Sequence, residues 1–496
     1  MNILDLSATE LTAKVRGGEL LPTDIVSAYF KQIETLEPEI DAYLLLMKGS
    51  AFEQAKTLEN KIKSKKPLGA LAGVPMSIKD NICVEGSPTT CASKILSGYK
   101  ATYNATVIER LTAQDAIILG KTNLDEFAMG SSTENSGIKV TKNPWDTTRV
   151  PGGSSGGSAA SVAGAMALTS LGSETGGSVR QPASLCGVVG LKPTYGAVSR
   201  FGLVAFASSL DQVGPLGRDA RDTALIFETI AGHDPKDSTS LPNKVESRES
   251  RVVSRTIGIP KEYFDVEGLD PEVAKAMENA IDTFKKEGFT IKEISLPHTK
   301  YALPTYYILA SSEASANLAR FDGMRYGSRV QGQQGQEEGE LIQTYKASRT
   351  KGFGAEVQRR ILIGTFALSH GYYEAYYGRA QIARSQITLD FSNAFKEVDA
   401  IISPTTPTPA FKIGEKTQDP LAMYLSDIFT IPVNLAGIPA VSIPCGFSKN
   451  NLPIGLQIMA SHGQDKFLLE LAQSFEKATS REFIKRPRIT GGKIND

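Results

Sequence analysis

Histidine is scarce in this chain of 496 residues: His233, His298, His370 and His462 are all it has, and none lies near its Gly- and Ser-rich region. Scarcity does not exclude a Ser–His pair formed in space, but it makes another base worth seeking. Cysteine is equally sparse. Cys83, Cys91, Cys186 and Cys445 include no C-x-x-C pair, and no Cys/His cluster has zinc-like spacing, so no metal site is expected. Small buried thiols in a reducing compartment fit better. Excess charge is missing too. With 54 Lys+Arg against 54 Asp+Glu, no whole-chain field draws in nucleic acid or an anionic membrane, and any RNA would be held mostly by a partner. No apolar run is long enough to span a bilayer. Met1 to Leu6 has neither a basic n-region nor an Arg-rich transit pattern, so the chain reads as cytoplasmic.

What is present is an ordinary globular composition, 41% hydrophobic and 22% charged, in a chain long enough to bury a large core without disulfides. Ser7 followed by Glu10 predicts a capping box. Ile25, Val26, Tyr29, Phe30, Ile33 and Leu36 share one helical face. Tyr43 to Met47 reads as a strand, as does the apolar run Val74 to Ile78, which ends at Lys79-Asp80-Asn81. Asn104 is placed to cap a helix, and Ala116 to Leu119 is a buried-type strand that Gly120 would stop. Asp270-Pro271 opens a helix with Val273, Met277, Ile281 and Phe284 inward; Gly288 ends it before a strand from Phe289 to Leu296. Such alternation predicts an α/β sheet with helices on its faces. Two polar stretches, Lys236 to Arg255 and Gln331 to Glu340, read as loose surface segments.

Residues 151–190 differ from the rest: PGGSSGGSAASVAGAMALTSLGSETGGSVRQPASLCGVVG. Glycine lets the backbone approach another group closely, and serines amid such glycines expose hydroxyls beside backbone N–H donors. Acyl transfer needs both a nucleophile and an oxyanion hole. A flexible linker is a poor alternative, because Ala159 to Leu171 is apolar and core-like. A phosphate-binding loop is excluded by the lack of a lysine after the glycines. The G-x-S-x-G of residues 152–156 is not preceded by an apolar strand, as a hydrolase elbow requires. Lys79, at the end of a short apolar strand, is a candidate base whose amine burial could desolvate.

The run GGSSGGSAA followed by GSETGGSVRQPAS, together with GVPMSIKDNI around Lys79 and GLKPTYGAVSR at 190–200, resembles the amidase signature family over nearly the whole chain. The resemblance implies one domain over residues 1–496, a large mixed β-sheet covered by helices on both faces, with a mobile polar insertion near 331–350. It also implies roles. Ser178 would be the acylated nucleophile, Ser154 its bridge to Lys79 after a cis peptide bond, and Lys79 the general base. The N–H groups of Thr175, Gly176, Gly177 and Ser178 would form the oxyanion hole. A free lysine titrates near 10.4 and a useful base nearer 7, so burial must disfavour the ammonium by roughly 5 kcal/mol, at about 1.4 per unit.

Three further stretches, at 123–136, 310–323 and 427–437, resemble the glutamine-hydrolysing subunits of three-subunit, tRNA-dependent amidotransferases. That likeness implies glutamine as substrate. Arg360 would meet its α-carboxylate, with Arg359 beside it as the alternative, and Asp427 its α-amine. Gly130 and Ser131 would line the pocket, with Tyr307 or Tyr306 helping. No cofactor is implied in this chain. ATP and Mg2+ would sit on a partner B subunit, which would also hold most of a glutamyl-tRNA(Gln), and a small C subunit would join the two. A free-standing amidase acting on another small amide is the competing reading.

Overall fold

Eleven strands join in one mixed sheet in the computed structural model, which describes residues 2–242, 255–264, 268–331, 339–487, 489–490 and 493–494. The strands are β1 (Tyr43–Leu46), β2 (Pro75–Lys79), β3 (Ile117–Thr122), β4 (Thr169–Glu174), β5 (Val189–Lys192), β6 (Gln212–Gly217), β7 (Thr256–Pro260), β8 (Thr290–Ile294), β9 (Ala400–Pro404), β10 (Ala440–Phe447) and β11 (Pro453–Ala460). They lie in the order β1-β3-β2-β4-β6-β5-β10-β11-β9-β7-β8. β3, β2 and β4 run parallel, as do β9, β7 and β8, and antiparallel pairs join these blocks.

Both faces of the sheet are covered. Side chains alternate along a strand, and here each set enters a different apolar cluster. Ala440, Met459 and Ile401, paired across β10, β11 and β9, pack with residues of the helices Ala302–Asn317 and Arg379–Ala394. Their neighbours Val441, Ile458 and Ile402 pack with the helices Pro271–Lys286 and Asp465–Ala478. β2, β3 and β4 are buried along their whole length, as strands covered on both faces must be.

Local signals account for many of the elements. Ser7 and Glu10 form the reciprocal capping box of the helix Ala8–Arg16, and the predicted stripe of the helix Pro22–Ile40 is buried. Asp270 caps the helix Pro271–Lys286. Two expectations need correction. Asn104 does not cap the helix Thr106–Ala113; its side-chain oxygen accepts from the Glu85 N–H instead. Gly120 does not stop β3, which continues to Thr122. A Cβ there would come 2.3 Å from the Leu45 carbonyl oxygen, so the glycine admits β1 alongside. Of the insertion near 331–350, residues 332–338 lie outside the described residues and Glu340–Gly352 is helical. Residues 243–254 of the other polar stretch also lie outside them. Among the described residues no helix is long and apolar enough to cross a membrane, and no group of three or more His, Cys, Asp or Glu side chains could hold a metal ion.

Candidate active site

β2, between β3 and β4, ends at Lys79, which is fully buried. Its Nζ donates to Ser154 Oγ at 2.8 Å, Ser155 Oγ at 2.8 Å and the Ser173 carbonyl at 3.2 Å. Among the described residues no carboxylate lies within its ion-pair reach, unlike the neighbouring buried lysine Lys121, which is paired with Asp80 at 2.9 Å. Burial therefore pushes Lys79 down to about 7, with more distant Asp125, Asp211 and Glu174 opposing the shift. A depressed amine alone does not mark a base. Burial pushes Lys192 to about 7 as well, but its amine donates to the Pro193 carbonyl rather than to a nucleophilic side chain.

Ser154 follows a cis peptide bond from Gly153. The loop is clamped from several sides. The Gly153 N–H donates to Gln181 Oε1 at 2.9 Å, and the Asp125 N–H to the Ser154 carbonyl at 3.3 Å. A Cβ on Gly153 would sit 2.1 Å from Asp125 Oδ2, so only glycine fits. The helix Gly156–Ala163 then leads back to β4.

β4 ends at Glu174, and Thr175-Gly176-Gly177-Ser178 forms the turn into the helix Arg180–Cys186. The Ser155 N–H donates to the Ser178 carbonyl at 3.1 Å, which holds the two serine loops side by side. Glu174 braces the turn. Its Oε2 accepts from the Val179 and Arg180 N–H groups, each at 3.0 Å, and its Oε1 pairs with the Arg180 guanidinium. Thr175 is fixed by donating to Asp211 Oδ1 at 2.7 Å. Gly177 has a φ of +152. A Cβ on Gly176 would meet the Tyr306 ring at 2.8 Å, and one on Gly177 would meet Thr430 Oγ1 at 2.3 Å. Among the described residues the N–H groups of Gly176, Gly177 and Ser178 have no protein acceptor, the condition an oxyanion hole requires.

Of the remaining candidates, Asp427 and Tyr306 lie directly against this turn, and Ser131 reaches it through Asp427. Ser131 donates to Asp427 Oδ2, and Gln181 Nε2 donates to the Ser131 carbonyl at 2.8 Å. Asp427 Oδ1 lies beside Gly177, buried and without a partner among the described residues, and burial raises its pKa to about 7. Gly130 packs against Asp125, with no room for a Cβ. Tyr306 covers Gly176 and meets Tyr307 edge-on at 5.1 Å. Of the arginine doublet, Arg360 is 2% exposed, and its guanidinium lies 4.8 Å from the Tyr307 ring centre. Arg359 keeps 44% of its side chain exposed. Arg360 Nε donates to Glu356 Oε1 at 2.8 Å, and Tyr424 OH donates to the same oxygen at 2.9 Å.

Sequence reasoning missed Ser155, Asp125, Gln181 and the Glu174–Arg180 pair. The pair left a signal: it supplies the only two charges in the stretch Pro151 to Gly190. Arg180 also reaches Gln457, Asn434 and the Thr430 carbonyl, all buried. Glu174→Ala strands this guanidinium in the core and is expected to destabilise the fold by about 3–5 kcal/mol. A lowered midpoint of denaturant unfolding would show it.

The sequence model of the Amidase family matches residues 24–469. The A subunit of the glutamyl-tRNA(Gln) amidotransferase of Thermodesulfovibrio yellowstonii is 54% identical over 485 residues, covering 97% of this chain and 98% of the relative. Its counterpart in Geobacillus thermodenitrificans is 54% identical over 483 residues, covering 97% and 98%. Among solved structures, the same component of the Thermotoga maritima enzyme superposes with a TM-score of 0.77 at 40% identity, covering 100% of this chain and 98% of that one. A 6-aminohexanoate cyclic dimer hydrolase superposes with a TM-score of 0.82 at 26% identity, covering 98% and 99%, so the fold alone does not choose the substrate. With the match to the family model running from the second helix to the last long one, the chain belongs to the amidase family.

Proposed function

We propose that the chain is the glutamine-hydrolysing component of a tRNA-dependent amidotransferase, acting through Ser178, Ser154 and Lys79. The observation that carries the substrate is that a buried cation, Arg360, and a buried carboxylate, Asp427, both act on Tyr306, the ring that covers Gly176. Free glutamine carries an α-carboxylate and an α-ammonium, and this pair matches both. Asp427 Oδ1, unpartnered among the described residues, suits an ammonium donor. Gly130, Ser131 and Tyr307 complete the wall.

The chemistry follows from the contacts of Lys79. A neutral amine has two N–H groups and one lone pair. With the N–H groups on Ser155 Oγ and the Ser173 carbonyl, the lone pair is left for the Ser154 hydroxyl. Ser154 then passes its proton to Lys79 as it takes one from Ser178, whose oxygen attacks the side-chain amide carbon of glutamine. Thr175, Gly176, Gly177 and Ser178 N–H groups face the developing oxyanion. The C–N bond breaks, the nitrogen takes the proton back through Ser154, and ammonia leaves. Water next attacks the glutamyl ester of Ser178 and releases glutamate.

The ammonia is used elsewhere. ATP with Mg2+ and glutamyl-tRNA(Gln) are assigned to a B subunit, with a C subunit joining the pair. The likeness to the amidotransferase relatives over 97% of the chain supports this, as does the balanced charge of a chain with no P-loop lysine. The expected location is the cytoplasm.

Arg360→Ala removes the carboxylate partner and is expected to raise KM for glutamine about 100-fold. Hydrolysis of an amide without an α-carboxylate should not change. Steady-state kinetics on both substrates check this. Loss of both activities in parallel would favour a free-standing amidase whose pocket does not read the amino acid.

A further inference from the structure

We propose that Glu126 is a positioning residue for substrate recognition: its carboxylate sets where Arg360 stands relative to the Ser131 wall, and so governs affinity for the α-carboxylate of glutamine. The proposal rests on the glutaminase reading above.

Glu126 is 2% exposed, and the groups that meet its two oxygens, a hydroxyl and a backbone N–H, are both neutral. A carboxylate buried in this way is costly, and such exceptions concentrate at functional sites. Its two oxygens serve two segments. Oε1 accepts from Ser93 Oγ, and Oε2 accepts from the Gly354 N–H at 2.7 Å. Ser93 Oγ also lies 3.2 Å from the Gly352 carbonyl. Both contacts converge on Gly352-Phe353-Gly354, the joint between the helices Glu340–Gly352 and Ala355–Ala367.

The joint is seated without slack. A Cβ on Gly354 would come 2.5 Å from Glu126 Oε2, and one on Gly352 would come 2.5 Å from Ile95 Cδ1. Gly354 is the first flanking residue of the helix that carries Arg360. That helix buries Val357, Arg360, Gly364 and Ala367. A shift at its start therefore moves the guanidinium.

On the other side, Glu126 is rigidly joined to the substrate wall. Asp125, the preceding residue, accepts from the Thr133 N–H at 2.9 Å and the Asn135 N–H at 3.0 Å. Phe127, the next, packs its ring at 5.2 Å from Phe321 and 5.7 Å from Phe353. Phe127 and Ala128 have φ values of 50 and 63, in the left-handed region, which side-chain-bearing residues occupy only when the surroundings hold them there. This turn leads straight to Gly130 and Ser131. Glu126 thus stands between the two halves of the pocket that meet the amino acid.

The test compares glutamine with butyramide, which has no α-substituents, using the full chain alone and with its candidate partner subunits. Glu126→Ala is expected to raise KM for glutamine about tenfold, with kcat within about twofold and kcat/KM for butyramide unchanged. Glu126→Gln, which keeps an acceptor for the Gly354 N–H, should restore most of the affinity. A Glu126→Ala enzyme whose two activities fall in equal proportion, or whose KM for glutamine is unchanged, overturns the proposal. If that variant does not fold, Ser93→Ala frees one oxygen only; it should raise KM for glutamine by a smaller factor, and an unchanged KM overturns the proposal. A wild type that cleaves butyramide but not glutamine ends the glutaminase reading and this proposal together. A wild type that prefers glutamine while Glu126 variants bind it normally ends this proposal alone.

Discussion

Ser178→Ala is expected to lower kcat for glutamine hydrolysis by about 10⁴-fold or more, with glutamine still bound. The reason is geometric. Ser178 sits in a turn shaped by Gly176 and Gly177 and braced by Glu174, and its carbonyl ties it to the Ser155 N–H. Removing one hydroxyl leaves these contacts in place, so the fold and the positions of Arg360 and Asp427 should survive. Binding measured by calorimetry should then match the wild type while turnover vanishes. Residual turnover within about tenfold of wild type would mean that another group attacks the amide.

Lys79→Ala should cost nearly as much, about 10³- to 10⁴-fold in kcat, because among the described residues no other amine reaches Ser154. The pH dependence gives a sharper check. Lys79 acts as a base only when neutral, and burial places its pKa at about 7 rather than 10.5. Activity should therefore rise as pH passes upward through about 7 and fall away below it, where the ammonium forms. Asp427, also raised to about 7, complicates kcat/KM, which reports the free enzyme. Once the α-ammonium of glutamine pairs with Asp427, that carboxylate is held ionised. The acid limb of kcat then belongs to Lys79. It should persist near pH 7 in an Asp427→Asn enzyme, whose KM alone should suffer. A kcat flat from pH 6 to 9 would remove Lys79 as the titrating base.

Much of the fold was legible because it follows from local rules. The capping box at Ser7, the stripe from Ile25 to Leu36 and the cap at Asp270 all depend on residues within a few positions of one another. The errors arose where a distant strand or loop decides. Gly120 looks like a stop, but it makes room for β1. Asn104 looks like a cap, but its oxygen serves Glu85.

The candidate site divides in the same way. The Gly/Ser run pointed to a nucleophile beside bare backbone and the end of a short apolar strand to Lys79, while Ser154 and Ser178 were picked out by the resemblance to the amidase signature family. Within the arginine doublet the helix buries one and exposes the other: Arg360 falls on the stripe of Val357, Gly364 and Ala367, and Arg359 falls off it. Asp125 and Glu126 carried no such signal. Their partners lie on loops as far away as Gly354, and only the folded chain brings them together.

The central claim is that Ser178 forms a glutamyl ester on the way to ammonia. The most direct measurement is to acid-quench the enzyme during turnover of isotopically labelled glutamine and locate the label by peptide mass spectrometry. The account predicts a labelled glutamyl adduct on the peptide carrying Ser178, absent in Ser178→Ala. Label on another residue, or release of glutamate by the Ser178→Ala enzyme at the wild-type rate, would contradict it.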